Sequence, residues 1–218
     1  MLLWERKAFL DGASLIIGVD EAGRGPVAGP VVAAAVLLKP SPLKRFILPR
    51  YKHRLDDSKK MLPHEREKTF SEISGRGIFG IGLRDHRFID IKNIHIATLA
   101  AMKQAVHGLI RKYCLLNDTE EKKIRADICI LIDGNLKLRL PYKTIAILKG
   151  DSKSFSIAAA SIVAKVTRDR MMCSYDKQYP RYGFFRHKGY GTRSHFEAIE
   201  RYGPCPIHRK SFAPIRKK

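Results

Sequence analysis

Acidic residues are few beside the basic ones in this 218-residue chain: 21 Asp and Glu stand against 42 Lys and Arg, a formal charge of +21. Solubility does not require such an excess. A polyanionic partner explains it, nucleic acid first and an anionic membrane surface second. Long apolar runs are missing too. None reaches the ~18 residues of a membrane-crossing helix, and the charges within residues 1–10 interrupt any signal-peptide core. No membrane partner is therefore expected. Cysteine is sparse: Cys114, Cys129, Cys173 and Cys205 lie far apart with no C-x-x-C pair. That excludes a disulfide framework or a zinc ribbon and points to reduced thiols in the cytoplasm. The eight histidines form no H-E-x-x-H and no cysteine-paired metal spacing. Residues 149–154 lack the Gly-Lys-Ser/Thr of a Walker loop, and Gly23-x-Gly25-x-x-x-Gly29 misses the dinucleotide spacing by one residue. Internal repeats and low-complexity linkers are absent.

What is present suits one domain with a full core, since 44% of residues are hydrophobic. Residues 16–19 form a short apolar run with β-branched members, the pattern of a buried strand. A second such run covers 31–38, and Gly29-Pro30 between them predicts a tight return and antiparallel pairing. A basic loop spans 44–60. A helix is expected over 63–74, ending at Gly75, then a third strand over 77–83. The clearest helix is 88–113, with Ile94, Thr98, Ala101, Met102, Ala105 and Leu109 on one stripe, ordinary core packing. Residues 117–125 are expected to be a loop. The apolar runs 128–132 and 144–148 predict central or parallel strands covered on both faces. An alanine-rich helix over 154–178 follows, then an aromatic and basic stretch over 179–193, a short helix over 194–202 and a basic tail. The core is thus placed at roughly 14–178 and a basic C-terminal extension at 179–218.

Acids recur where strands end. Asp20 and Glu21 follow the first strand, Asp133 the fourth and Asp151 the fifth. Taken singly, each suits a solvated strand end or turn. In open α/β sheets, however, functional groups collect outside the carboxyl ends of strands. Four carboxylates converging there would repel one another unless cations lay between them. An all-oxygen set without histidine or cysteine suits Mg2+ or Mn2+. Two such ions ~4 Å apart drive in-line phosphodiester displacement. Gly23, Arg24 and Gly25 follow the acid pair at once, a backbone able to approach a ligand with a cationic fork beside it. His187, in a basic loop, reads as a surface group.

Seven segments resemble, in order, the motifs of bacterial ribonuclease HII. They are Val19-Asp20-Glu21-Ala22-Gly23-Arg24-Gly25-Pro26, Asp57-Ser58-Lys59-Lys60, Asn93-Ile94-His95, Ile132-Asp133-Gly134-Asn135, Lys149-Gly150-Asp151, the run from Ala158 to Asp169, and His187-Lys188-Gly189-Tyr190-Gly191-Thr192. The Gly203-Pro204-Cys205-Pro206-Ile207-His208-Arg209 ending is similar too. The sister family, ribonuclease HIII, is a weaker match because Gly23-Arg24-Gly25 is intact. Met61-Leu62-Pro63 departs from the family's usual Leu-Ser, in a loop.

The resemblance implies a ribonuclease H-like α/β fold: a five-stranded mixed sheet, three strands antiparallel and two parallel additions, flanked by helices. It implies an endonuclease that cuts the RNA strand of RNA–DNA hybrids and cuts 5′ of single ribonucleotides in duplex DNA, leaving 3′-hydroxyl and 5′-phosphate ends. Asp20, Glu21, Asp133 and Asp151 then correspond to the catalytic acids holding two ions per site. Gly23, Arg24, Gly25 and Tyr190 correspond to the group that reads the ribonucleotide and its junction with DNA. Lys59 and Lys60 are candidate phosphate contacts, and the chain is expected to act as a monomer. The competing classes are a non-catalytic nucleic-acid-binding protein and a DNA nuclease on the same fold.

Overall fold

The computed structural model describes residues 1–38, 55–58 and 60–215. Five strands form one sheet in the order β3-β2-β1-β4-β5. β1 (Leu15–Ala22) pairs antiparallel with β2 (Val31–Leu38), and β2 pairs antiparallel with β3 (Gly77–Arg84). β4 (Ile128–Asp133) and β5 (Lys143–Ile147) add in parallel beyond β1. This is the mixed five-stranded sheet expected.

The three central strands are buried on both faces, which is why their sequences show no polar alternation. Ile17 and Val19 of β1 face one core with Ala101, Met102 and Leu109, while Ile16 faces another with Ile157. Helices flank the sheet. α1 spans Leu3–Leu10, α2 Pro63–Arg76, α3 His86–Leu116, α4 Glu121–Ile124 and α5 Phe155–Gln178. α3 covers one face and α5 the other. Near its start α5 lies almost on the backbone of β1: a Cβ at Gly18 would fall 2.1 Å from the Ser156 carbonyl. Only glycine allows that approach, and it brings the turn before α5 to the end of β1.

Several expectations need correcting. β5 is parallel but lies at the sheet edge, and only Ile147 of its residues is buried, so its apolar letters do not mark a covered strand. α3 is longer than expected and breaks at Asn93, where φ is +65°. The Asn93 side chain accepts from Ile96 N–H at 3.0 Å, so it caps the second segment. The stretch after α3 contains α4 rather than loop alone. α1 has no counterpart in the sequence pattern. Its Glu5 is fully buried and accepts from the Ser154 hydroxyl and the Ser156 N–H at the start of α5. The basic loop expected over 44–60 falls largely outside the described residues.

The link from β1 to β2 is not a tight return but an eight-residue loop, 23–30, held from outside. The C-terminal extension that holds it carries two short helices, α6 (Phe184–His187) and α7 (Arg193–Tyr202). Gly189 O accepts from Val27 N–H, and Ile207 O accepts from Gly29 N–H. Arg209 N–H donates to Val27 O. Within the expected basic tail, Cys205, Ile207, His208 and Arg209 are therefore buried, packed structure.

Candidate active site

The strand register assembles the acids. Val19 pairs with Ile132, so the next residues, Asp20 and Asp133, stand side by side. Asp133 ends β4, whereas Asp20 and Glu21 lie within β1, which runs on to Ala22 rather than stopping before the acid pair as expected. Asp133 pairs with Ile147 of β5, and its Oδ1 accepts from Gly150 N–H at 2.6 Å. That bond draws in the 3-10 turn Gly150–Ser152, which carries Asp151. Carboxylate oxygens of Asp20, Asp133 and Asp151 lie within 4.8 Å of one another. Glu21 is placed differently. It lines the same cavity, of about 370 Å3, but its Oε1 turns to Arg24 Nη1 at 3.3 Å.

Asp20 is 5% exposed. Burial, with the Glu21 and Asp133 charges beside it, pushes its carboxyl well above the usual range, although Glu21 N–H donates to it at 2.7 Å. Burial also raises Glu21, and Arg24 opposes that rise. Such a cluster demands positive charge. Its donors are all oxygens, which fits a hard divalent cation.

The remaining cavity wall brings together the other expected residues. Gly23, Arg24, Gly25 and Tyr190 line it with Ser58, Ser161 and Lys165. Tyr190 is 44% exposed, and its ring sits 5.9 Å from the Arg168 guanidinium and from Lys165 Nζ. Lys60 is exposed and is not among the lining residues. Lys59 lies outside the described residues.

Two arginines that composition and spacing do not single out hold this wall. Arg168 and Arg209 are both fully buried. Arg168 donates to the carbonyls of Pro30, Lys188 and Ala28 at 3.0, 3.0 and 3.2 Å. Arg209 donates to those of Gly29, Arg24 and Gly23 at 3.0, 2.9 and 2.6 Å. Burial pulls Arg209 down to about 9 and Arg168 to about 10, so both stay cationic at neutral pH. Gly23 is pinned beneath them. Its φ is +94°, and a Cβ there would fall 2.0 Å from Arg168 Nε. Gly25 is different: its φ is ordinary and a Cβ would meet nothing closer than Tyr190 Cε1 at 3.9 Å.

Lys165 is a further residue of the wall that charge alone does not reveal. Its Nζ pairs with Asp169 at 2.7 Å, and burial pulls the ammonium below its ordinary value. Lys165 and Arg168 stand inside the motif-like run 158–169, and Arg209 closes the motif-like ending. That placement is the signal that could have found them. His187 is not a mere surface group, since it bonds Tyr182 O and Gly189 N–H.

A mixed sheet of this order, with acids gathered at the carboxyl ends of its adjacent parallel strands, defines a nuclease of the ribonuclease H-like class. The ribonuclease HII family model matches residues 17–215. A ribonuclease HII of Acetivibrio thermocellus is 51% identical over 214 residues, covering 97% of this chain and 75% of its own. That of Geobacter metallireducens is 50% identical over 220 residues, covering 99% and 92%. Among solved structures, ribonuclease H2 of Pyrococcus horikoshii superposes with a TM-score of 0.67 at 26% identity, over 93% of this chain and 95% of that one. The chain belongs to the ribonuclease HII family, and it is an endoribonuclease of the ribonuclease H type.

Proposed function

We propose that the chain cuts on the 5′ side of a single ribonucleotide embedded in duplex DNA, besides cutting the RNA strand of continuous RNA–DNA hybrids. Asp20, Glu21, Asp133 and Asp151 hold two divalent cations, Mg2+ or Mn2+. The observation that carries this is the gathering of three carboxylates within 4.8 Å, with Asp20 and Asp151 buried and the Asp20 carboxyl raised. Bound divalent ions supply charge stabilisation at the scissile phosphate.

The chain's own residues orient the strand. Only a 2′-hydroxyl separates the two sugars, so discrimination needs hydrogen-bonding backbone brought close to it. The 23–25 loop meets that need: Arg209 holds its carbonyls, and Gly25 leaves an open face toward Tyr190. The exposed Tyr190 ring packs on the sugar that follows the ribonucleotide, where deoxyribose fits and a 2′-hydroxyl clashes. The charge of +21 supports a duplex partner, and the free thiols of all four cysteines support a cytoplasmic location. Among the described residues no helix is long and apolar enough to cross a membrane. The protein acts as a monomer.

The test is cleavage of a DNA duplex carrying one ribonucleotide, with Mg2+, with Mn2+ and with chelator, beside an all-DNA duplex. Metal-dependent cutting 5′ of the ribonucleotide alone is expected. Equal cutting of all-DNA substrate would overturn the proposal.

A further inference from the structure

Three histidines with no part in the acid cluster lie behind the Tyr190 wall. His195 is 0% exposed and His208 1%, and neither lines the cavity. Their hydrogen bonds fix where each proton sits. Tyr190 O can only accept, so His195 Nδ1, 2.8 Å away, carries a hydrogen and its Nε2 is bare. Cys205 N–H donates to His208 Nδ1 at 2.9 Å, so that nitrogen is bare and Nε2 carries the hydrogen. Cys205 O also lies 3.2 Å from His208 Nδ1, but a hydrogen on Nδ1 would meet the Cys205 N–H and leave two bare Nε2 atoms facing each other. The two Nε2 atoms are 3.1 Å apart, a donor facing an acceptor. One directed chain results: Cys205 N–H to His208, His208 to His195, His195 to Tyr190 O. His187 stacks on His195 with ring centres 4.2 Å apart, and burial holds all three imidazoles below their ordinary range, hence neutral.

The relay starts in a segment with a second duty. Ala28 forms a β-bridge with His208, and the next residue, Arg209, holds the carbonyls of Gly23 and Arg24. Adjacent residues thus grip the two halves of one wall, the 23–25 backbone and Tyr190.

We propose that His208 and His195 are positioning residues: their relay sets Tyr190 against the 23–25 loop and so sets the preference for a lone ribonucleotide over continuous hybrid. This rests on the junction role proposed above for Tyr190. Neither histidine touches substrate. Loss of the relay removes the buried partner of Tyr190 O and leaves it only the local bonds, from Thr192 N–H to Tyr190 O and from Tyr190 N–H to His187 O, both 2.9 Å, while the acids keep their places.

The experiment measures kcat/KM on a single-ribonucleotide duplex and on a continuous hybrid for His195→Leu, His208→Leu, His195→Asn and His208→Gln. The leucine variants are expected to lose ~10-fold on the single ribonucleotide and under ~3-fold on the hybrid, the scale of a loosened supporting contact. His195→Asn keeps a donor toward Tyr190 O, and His208→Gln keeps one toward His195, so both should recover most of that loss. A merely structural role would lower both substrates alike and would overturn the proposal. Long-range 1H–15N spectra of the wild-type protein stand even if the leucine variants fail to fold. They should show hydrogen on His195 Nδ1 and His208 Nε2, and the opposite tautomers would sink the relay. Tyr190→Ala separates the two failures. If it is selective and the histidine variants are not, the relay falls and the junction role stands. If Tyr190→Ala is not selective, the junction role falls and this proposal with it.

Discussion

Asp20 concentrates the conflict in this site. A buried acid beside Glu21 and Asp133 destabilises the empty fold, and the proposed divalent cations would relieve that same crowding. Asp20→Asn should therefore do two opposite things. Cleavage should be abolished at saturating Mg2+ or Mn2+, since metal-mediated stabilisation supplies several kcal/mol of the barrier. In metal-free buffer the melting temperature should rise by a few degrees, because one repelling charge is gone; calorimetry checks this. Retained turnover would remove Asp20 from the site. Gly25 offers a cleaner separation of fold and function. Its backbone is ordinary and the protein leaves room for a methyl group. Gly25→Ala should change stability by less than ~0.5 kcal/mol, while cleavage at a single ribonucleotide falls at least ~10-fold by the scale of one lost close approach. Denaturant melts and kcat/KM on that substrate decide it. Gly23 allows no such separation, because both its φ and Arg168 forbid the Cβ.

The loop 23–30 shows how elements distant in sequence share one job. It is the return of a hairpin, yet its carbonyls are held by α5 through Arg168 and by the C-terminal segment through Arg209. Arg209→Lys keeps the charge but loses the planar fork, so it cannot reach three carbonyls at once. The expected cost is ~2–3 kcal/mol from carbonyls left unpaired, with a fall in activity, read by denaturant melts and by cleavage. The histidine cluster adds a pH dependence. Burial, reinforced by the nearby His187 and His208, lowers His195 from the ordinary 6.5 to about 4, although its bond to Tyr190 opposes this. Between those values the unfolded chain binds more protons than the native one, so stability falls as pH drops from about 6.5 to about 4. Asp20 works in the opposite direction, its raised carboxyl favouring the fold as pH falls. A difference measurement isolates the histidine: His195→Asn should lose less stability than wild type across that range.

Over the whole molecule, the charge of +21, all but a few of its cations among the described residues lying outside the core, has a thermodynamic signature. Affinity for duplex should fall steeply with salt, and if ~6 phosphates are neutralised the log–log slope is near −5. Fluorescence anisotropy across salt concentrations checks it, and a flat response would assign the charge elsewhere. The C-terminal segment is more than a carrier of that charge. It holds Arg209 and the start of the histidine relay, so the 23–25 loop depends on it.

Much of this protein is written locally. The apolar runs ending in Asp20 and Asp133, the alanine-rich α5 and the glycines after the acid pair are short-range signals, and they locate the sheet and the acids. Apolar runs and close-packing alanines depend mainly on near neighbours, so they are legible in one chain, whereas the break at Asn93 is not. The edge position of β5 is not, because an apolar run is the same in letters whether or not a second layer covers it. Nor is the use of Arg168, Arg209, His195 and His208. In sequence they are basic residues in a basic chain. Only the tertiary structure buries the two arginines against carbonyls far away in sequence and brings His208 onto His195, and burial is what turns an ordinary cation or imidazole into a fixed support for the site.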